Sequence, residues 1–290
     1  MRAVVLREFG DIGNAQVVAF PDPEPRPGEV LIRVKAVAAN FVDLLVIGGK
    51  YQFLPELPFV PGKGPSGIVA GVGYGVTNVR EGDRVLAMAE QGGFGELVTA
   101  PAINVFKLPD SLSFVDAASM SLVYDTAWFA LFERGRLVAG ETALILGASG
   151  GVGYASVQLA KAKSAKVLVG LTTPAKASVF LEEEIDGVID LSVENLRDGL
   201  REQVFALTDG VGVDVVMDPL GDEVSGAALR ALAWRGRLVV VGFAAGNIPT
   251  LKANYLLLKN IEVSGLQVSD YRKRRPDLMV ECFADIFRLY

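Results

Sequence analysis

The spacing of apolar and polar positions changes once along the chain, near residue 120. Before that point short apolar runs alternate with polar residues and are cut by turn residues. Residues 3–6, 28–37 and 84–89 read as strands on this period of two. Residues 67–79 are apolar with glycines at 71, 73 and 75, which suits bulges or bends in a curved sheet. Prolines at 21, 23, 25 and 27 mark a loop. This first part is predicted to be a mostly antiparallel β module.

After residue 120 short apolar strands alternate with helical patterns. Strands are expected at 142–146, 166–169, 188–189, 213–217 and 237–241. Helices are expected at 152–163, 175–183, 196–207 and 223–233. That alternation predicts a parallel sheet covered on both faces, the doubly wound α/β arrangement. Ligands of such sheets bind beyond the carboxyl ends of the strands. Residues expected there include Thr172, Thr173, the segment Asp218-Pro219-Leu220-Gly221, and Gly242 with Phe243.

The strongest local signal is the strand 142–146, the turn Gly147-Ala148-Ser149-Gly150-Gly151-Val152-Gly153 and the helix after it. Strand, glycine turn and helix in this order form a dinucleotide-binding fingerprint. Gly150 lets backbone approach a pyrophosphate, and Gly153 lets helix pack closely on strand. Ser149, Gly150, Gly151, Val152 and Gly153 present the free N–H groups of the helix start to the phosphates. Ala148 stands where the first glycine of the usual pattern would be. The alternative is a tight turn that merely packs a helix on a sheet.

Composition narrows the chemistry. The chain has 290 residues, enough for two domains, with 51% hydrophobic and 21% charged content. A net charge of −6 argues against nucleic acid as the main partner. The basic run Arg272-Lys273-Arg274-Arg275 reads as a solvated helix start. One cysteine, Cys282, leaves no intramolecular disulfide, and the absence of histidine removes histidine acid–base and metal chemistry. With no leader pattern and no apolar stretch long enough for a bilayer, no membrane is expected and a cytoplasmic setting is the default.

The second strand bears on the cofactor. An acidic residue about 20 positions past the glycine turn would hold the ribose 2′-hydroxyl of NAD. Here Leu171-Thr172-Thr173-Pro174-Ala175-Lys176 supplies hydroxyls and a positive charge and no carboxylate. NADPH is therefore the expected cofactor. On its own, Lys176 equally suits a solvent-facing position in a helix start.

These pieces carry a family resemblance. Ala39-Asn40-Phe41-Val42-Asp43, Gly49-Lys50-Tyr51, Leu57-Pro58-Phe59-Val60-Pro61-Gly62, Gly82-Asp83-Arg84-Val85, Tyr124-Asp125-Thr126-Ala127 and Asn254-Tyr255-Leu256-Leu257-Leu258-Lys259-Asn260 stand in the order found in one branch. The chain resembles the quinone oxidoreductase (zeta-crystallin-like) branch of the zinc-independent medium-chain dehydrogenase/reductase superfamily. The resemblance implies a GroES-like catalytic domain at 1–119, a Rossmann NADP-binding domain at 120–268 and a return segment at 269–290. It places the active site in the cleft between the domains. Asn40, Asp43 and Tyr51 would lie on the catalytic side. Thr126, Gly242, Phe243 and Leu266 would join the cofactor contacts. Asn40 and Asp43 also suit helix-start capping, Tyr51 suits half-buried packing, and Asp218 suits a strand end.

Zinc-dependent relatives carry Cys at the position of Asn40 and Gly-His-Glu at Gly62-Lys63-Gly64, so no metal is expected here. Without that Lewis acid, reduction of an electrophilic acceptor is favoured over alcohol oxidation. The expected activity is NADPH-dependent reduction of a quinone. The alternatives are reduction of an activated alkene and a catalytically weak, crystallin-like nucleotide-binding protein. Two features depart from the family: Gly64 replaces the usual Glu, and the chain stops inside an apparent amphipathic helix, which reads as a truncation. Residues 261–268 alternate in polarity, and the matching strand in relatives pairs across a two-fold axis, so a homodimer is expected.

Overall fold

The structure is a computed structural model describing all 290 residues. The chain forms two compact units, Met1–Leu122 with Tyr271–Tyr290, and Val123–Asp270. These limits fall a few residues beyond 119 and 268. No helix is long and apolar enough to cross a membrane.

The first unit contains β1 (Arg2–Leu6), β2 (Ala15–Ala19), β3 (Glu29–Ala36), α1 (Phe41–Ile47), β4 (Ser66–Val72), β5 (Arg84–Ala87), β6 (Leu97–Pro101), β7 (Val105–Lys107) and α2 (Phe114–Met120). β1 and β2 form an antiparallel pair, and the other five strands form a sheet in the order β6-β3-β4-β5-β7. All its pairings are antiparallel. The alternation in β3 buries Val30 and Ile32 against Val69, Val85 and Val98. The apolar run at 67–79 does not continue as strand past Val72. A β-carbon at Gly73 would lie 1.9 Å from the Arg26 carbonyl oxygen, so the chain turns there on a residue that only glycine can supply.

The second unit contains α3 (Val123–Trp128), β8 (Thr142–Leu146), α4 (Gly151–Ala162), β9 (Lys166–Leu171), β10 (Gly187–Asp190), α5 (Leu196–Leu207), β11 (Val213–Asp218), α6 (Asp222–Ala231), β12 (Leu232–Val240), α7 (Asn254–Lys259) and β13 (Glu262–Gly265). Its six strands are all parallel, in the order β10-β9-β8-β11-β12-β13. The direction of winding reverses between β8 and β11, which makes the doubly wound, Rossmann-type topology and its switch point. Leu144, Leu146, Val213, Val216 and Leu238 are buried from both faces, as a parallel sheet requires.

Two expected helices differ. The pattern at 175–183 forms 3₁₀ turns over Pro174–Phe180 rather than an α-helix, and Thr173 makes no side-chain cap there. The helix expected to reach 233 stops at Ala231, because Leu232 joins the ladder opposite Val213. The chain ends with α8 (Val268–Arg274) and α9 (Pro276–Leu289), the latter burying Met279, Cys282, Phe283 and Ile286.

Candidate functional site

In the second unit the candidate cofactor residues gather at the carboxyl ends of the parallel strands. The turn after β8 sits at the switch point. Gly150 is the N-cap of α4 and has no side chain to occupy the first turn, so the helix start is open to an anion. α4 is 12 residues long, so its dipole is well developed. Ser149, Gly150 and Gly151 are exposed, while Val152 is half-buried and Gly153 buried. A β-carbon at Gly153 would lie 2.4 Å from the Gly147 carbonyl oxygen and 2.6 Å from Ala148 Cα. Helix and turn are thus in contact through glycine alone. Thr126 lies on α3, which packs beside α4, and its backbone N–H donates to Asp125 Oδ1 at 2.7 Å.

Thr172, Thr173 and Lys176 lie just beyond β9 and are all exposed. No carboxylate stands among them, so the residues present suit a 2′-phosphate. Gly242 and Phe243 follow β12. Their loop is tied to the segment after β11: the N–H groups of Val241, Ala244 and Ala245 donate to the carbonyls of Asp218, Pro219 and Leu220 at 2.8, 3.0 and 2.9 Å. Leu266 follows β13 and donates to the Val240 carbonyl at 2.9 Å.

Asp218 holds this corner together, a role beyond ending a strand. Its Oδ1 accepts the N–H groups of Leu220 and Gly221 at 2.9 and 3.0 Å, and its Oδ2 accepts the Ser225 hydroxyl. Burial pushes its pKa up, opposed by these three hydrogen bonds. Ser225 escaped the sequence reading, as did Glu183. Glu183 Oε1 accepts the Tyr154 hydroxyl at 2.5 Å and the Gln158 amide at 3.1 Å. That bond is the first cause pushing the Tyr154 pKa up to about 12. Nothing in local spacing announces either contact.

In the first unit Asn40, Asp43 and Tyr51 come together with three residues that motif reading did not place in a site. Asp43 Oδ2 accepts the Asn40 N–H at 2.8 Å, which caps α1, and the backbone of Gly62 and Lys63 faces its carboxyl. The Asn40 side chain turns the other way and donates to the Ala38 carbonyl at 3.3 Å. Burial raises the Asp43 pKa, against the lowering effects of the neighbouring backbone N–H groups and of the Lys63 charge. Lys63 Nζ lies 5.5 Å from the centre of the Tyr51 ring. It donates to Glu90 Oε2 at 2.6 Å and to the Glu90 carbonyl at 2.9 Å. Arg272 donates to Glu90 Oε1 at 2.8 Å. Desolvation opposes the charge on Glu90, but Arg272 and Lys63 overcome it and hold its carboxyl below the ordinary range. The sequence signals for this network were a lysine between two glycines and the basic run 272–275, which does not form a solvated helix start as expected: Arg272 is buried in the last turn of α8.

The positions that match a zinc site in relatives do not fit the metal. Asn40 uses its amide on Ala38, Lys63 brings an ammonium bonded to Glu90, and Gly64 has no donor. No three His, Cys, Asp or Glu side chains are grouped to hold a metal ion. Gly64 has its own physical reason: at φ 63° a β-carbon would stand 2.4 Å from Ser121 Oγ, so no glutamate fits.

Comparison with known proteins agrees with this architecture. Residues 26–110 match the family described as alcohol dehydrogenase GroES-like domain, and residues 151–285 match the one described as zinc-binding dehydrogenase. The chain is 39% identical over 283 residues to quinone oxidoreductase-like protein 2 homolog of Nematostella vectensis, covering 97% of this chain and 76% of that protein. It superposes on Escherichia coli quinone oxidoreductase complexed with NADPH with a TM-score of 0.89 at 28% identity, covering 100% of this chain and 87% of that one. It also superposes on the CurK enoyl reductase with a TM-score of 0.87 at 25% identity, covering 99% and 87%.

Proposed function

The chain belongs to the zinc-independent quinone oxidoreductase branch of the medium-chain dehydrogenase/reductase superfamily, and from that premise we propose that it is an NADPH-dependent reductase of quinones. The observation that carries the proposal is the open start of α4 at the switch point, joined to a β9 end with Thr172, Thr173 and Lys176 in place of a carboxylate. The helix-start N–H groups of the 150–153 turn would hold the pyrophosphate. Thr172, Thr173 and Lys176 would take the 2′-phosphate. Gly242, Phe243 and Leu266 would border the nicotinamide end, and Thr126 would complete the cofactor contacts.

NADPH, when bound, supplies the hydride. Everything else falls to binding and orientation, since no Lewis acid fits the residues present. On the acceptor side Asn40 and Tyr51 would present an amide and a phenol, while the buried Asp43 carboxyl holds the start of α1 beside them. A quinone that takes up hydride needs one further proton, which the Tyr51 phenol or solvent delivers. The two electrons and two proton equivalents then balance as hydroquinone.

The second reading, reduction of an activated alkene, is supported by the likeness to an enoyl reductase. Both acceptors are planar and carry an electrophilic carbon conjugated to a carbonyl, so a site that takes one suits the other. The test is a steady-state comparison of 1,4-benzoquinone, an alkenal and an enoyl thioester, each with NADPH and NADH. NADPH-linked turnover highest with benzoquinone is expected. Preference for the enoyl substrates would move the assignment to the second reading. Tight NADPH binding without turnover of any acceptor would leave a nucleotide-binding protein.

A further inference from the structure

We propose that Lys63 is a positioning residue for Tyr51, held in place through Glu90 by Arg272 of α8, so that the segment ending the chain helps set the acceptor-side phenol. The proposal rests on the reading of Tyr51 as an acceptor-side residue.

Lys63 is only 6% exposed, unusual for a lysine. Its backbone is pinned between two glycines in the left-handed region, Gly62 at φ 93° and Gly64 at φ 63°. Neither neighbour tolerates a side chain: a β-carbon at Gly62 would lie 2.6 Å from Phe94 N, and one at Gly64 2.4 Å from Ser121 Oγ. The Lys63 side chain therefore leaves from a fixed point. Two of its three donors are spent on the carbonyl and carboxylate of Glu90. The ammonium then stands over the Tyr51 ring, 5.5 Å from its centre, a cation–π distance.

Glu90 is not free to follow Lys63, because its other oxygen is held at 2.8 Å by Arg272, itself 4% exposed. Two cations share one carboxylate, so Glu90 is held from both sides while it holds Lys63 beside the ring. Tyr51 is half-buried against the cluster of Leu6, Val46, Ile47 and Phe59, and it meets Phe53 edge-on at 6.5 Å. Lys273, next in the chain to Arg272, stands 4.8 Å from the centre of the Phe53 ring. The segment 272–273 thus reaches Tyr51 by two routes, through Glu90 and Lys63 and through Phe53. A half-buried tyrosine held by apolar packing alone would be free to tilt. The ammonium over its face fixes the ring plane, and with it the direction of the phenol.

The experiment uses full-length protein with 3-fluorotyrosine in place of its seven tyrosines, the Tyr51 resonance being identified by its loss in Tyr51→Phe. Lys63→Met is expected to shift that fluorine resonance and to lower kcat for acceptor reduction by about three- to tenfold. The NADPH dissociation constant should stay within twofold, and Lys63→Arg should recover most of the loss. In a Tyr51→Leu background Lys63→Met should cost little, since the interaction is already gone. An unmoved Tyr51 resonance, or an equal loss in the Tyr51→Leu background, overturns the proposal. If Tyr51→Leu alone turns over acceptor like the wild type, the acceptor-side role of Tyr51 fails instead, and the fluorine shift alone decides the positioning. Should Lys63→Met not fold, Arg272→Met must shift the same resonance, and its failure to do so is equally decisive.

Discussion

Replacing Gly153 by alanine adds one methyl group where the helix meets the turn, and the structure sets the size of the effect. The backbone of Gly153 lies in ordinary helical space, so alanine strains no dihedral. The cost is contact alone. The new carbon would stand 2.4 Å from the Gly147 carbonyl oxygen, whereas an ordinary contact begins near 3.4 Å. The obstructing atoms are backbone atoms of the turn, which no rotamer change can move. α4 must back away by about 1 Å, at an overpacking cost of about 1–3 kcal/mol. Better helix propensity returns up to about 1 kcal/mol, so the contact wins. The second unit should melt a few degrees lower. NADPH should suffer more, because a displaced helix start loses charge-assisted hydrogen bonds of about 1.5–3 kcal/mol each, at least tenfold in affinity.

Gly150→Ala is the control, since a β-carbon there meets nothing closer than the Gly147 oxygen at 3.3 Å. It should keep the melting temperature while still weakening NADPH, because the added carbon faces the phosphate approach. Thermal unfolding and NADPH fluorescence titration on both variants give the comparison. A Gly153→Ala protein that melts like the wild type and binds NADPH within twofold would falsify the close helix–turn contact.

Lys176→Ala should weaken NADPH roughly tenfold and leave NADH nearly unchanged, by loss of one charged contact to the 2′-phosphate; equal weakening of both removes Lys176 from that site. Metal analysis should find no stoichiometric zinc, and about one zinc per chain with chelator-sensitive activity contradicts the donor-set argument. Burial raises Asp43 above its ordinary 3.8, so its contribution to stability is full below 3.8 and is lost as pH rises through the raised value. Asp43→Asn, which keeps an oxygen for the same N–H donors, should therefore gain melting temperature on the wild type as pH rises; a flat or falling difference counts against it. A homodimer formed through β13 should weaken in Val263→Pro more than cofactor binding does, and a monomeric wild-type mass by light scattering counts against the dimer.

The topology was legible because period carries it. Apolar runs of four to six residues alternating with helical patterns left a parallel sheet as the stable layering, and the one glycine turn marked its first strand. What escaped was decided by tertiary contact. Leu232 and Ala233 continue a helical pattern by propensity, yet the ladder with β11 pulls Leu232 into strand. Lys63, Glu90 and Arg272 are separated by 27 and 182 positions in their mutual contacts, so no window of sequence could join them. Asp218 was visible only as a strand end, because its partner Ser225 sits seven residues on, across a turn that only the fold closes.

The departure at Gly64 shows how such distant contacts rewrite a motif. The missing glutamate looked like a lost hydrogen-bonding group, but the space for it is filled by Ser121, whose hydroxyl donates to the Ala118 carbonyl at 2.8 Å. A carboxylate reaches this corner instead from Glu90, exposed on the segment after β5, and it arrives with two buried cations already attached. Lys63 and Arg272, both buried, are each bonded to it, so its removal takes a charged partner from both cations. The glycine, the lysine beside it and the arginine near the chain end are thus one arrangement. Reinstating a side chain at position 64 would have to displace Ser121 and move the backbone from which Lys63 departs.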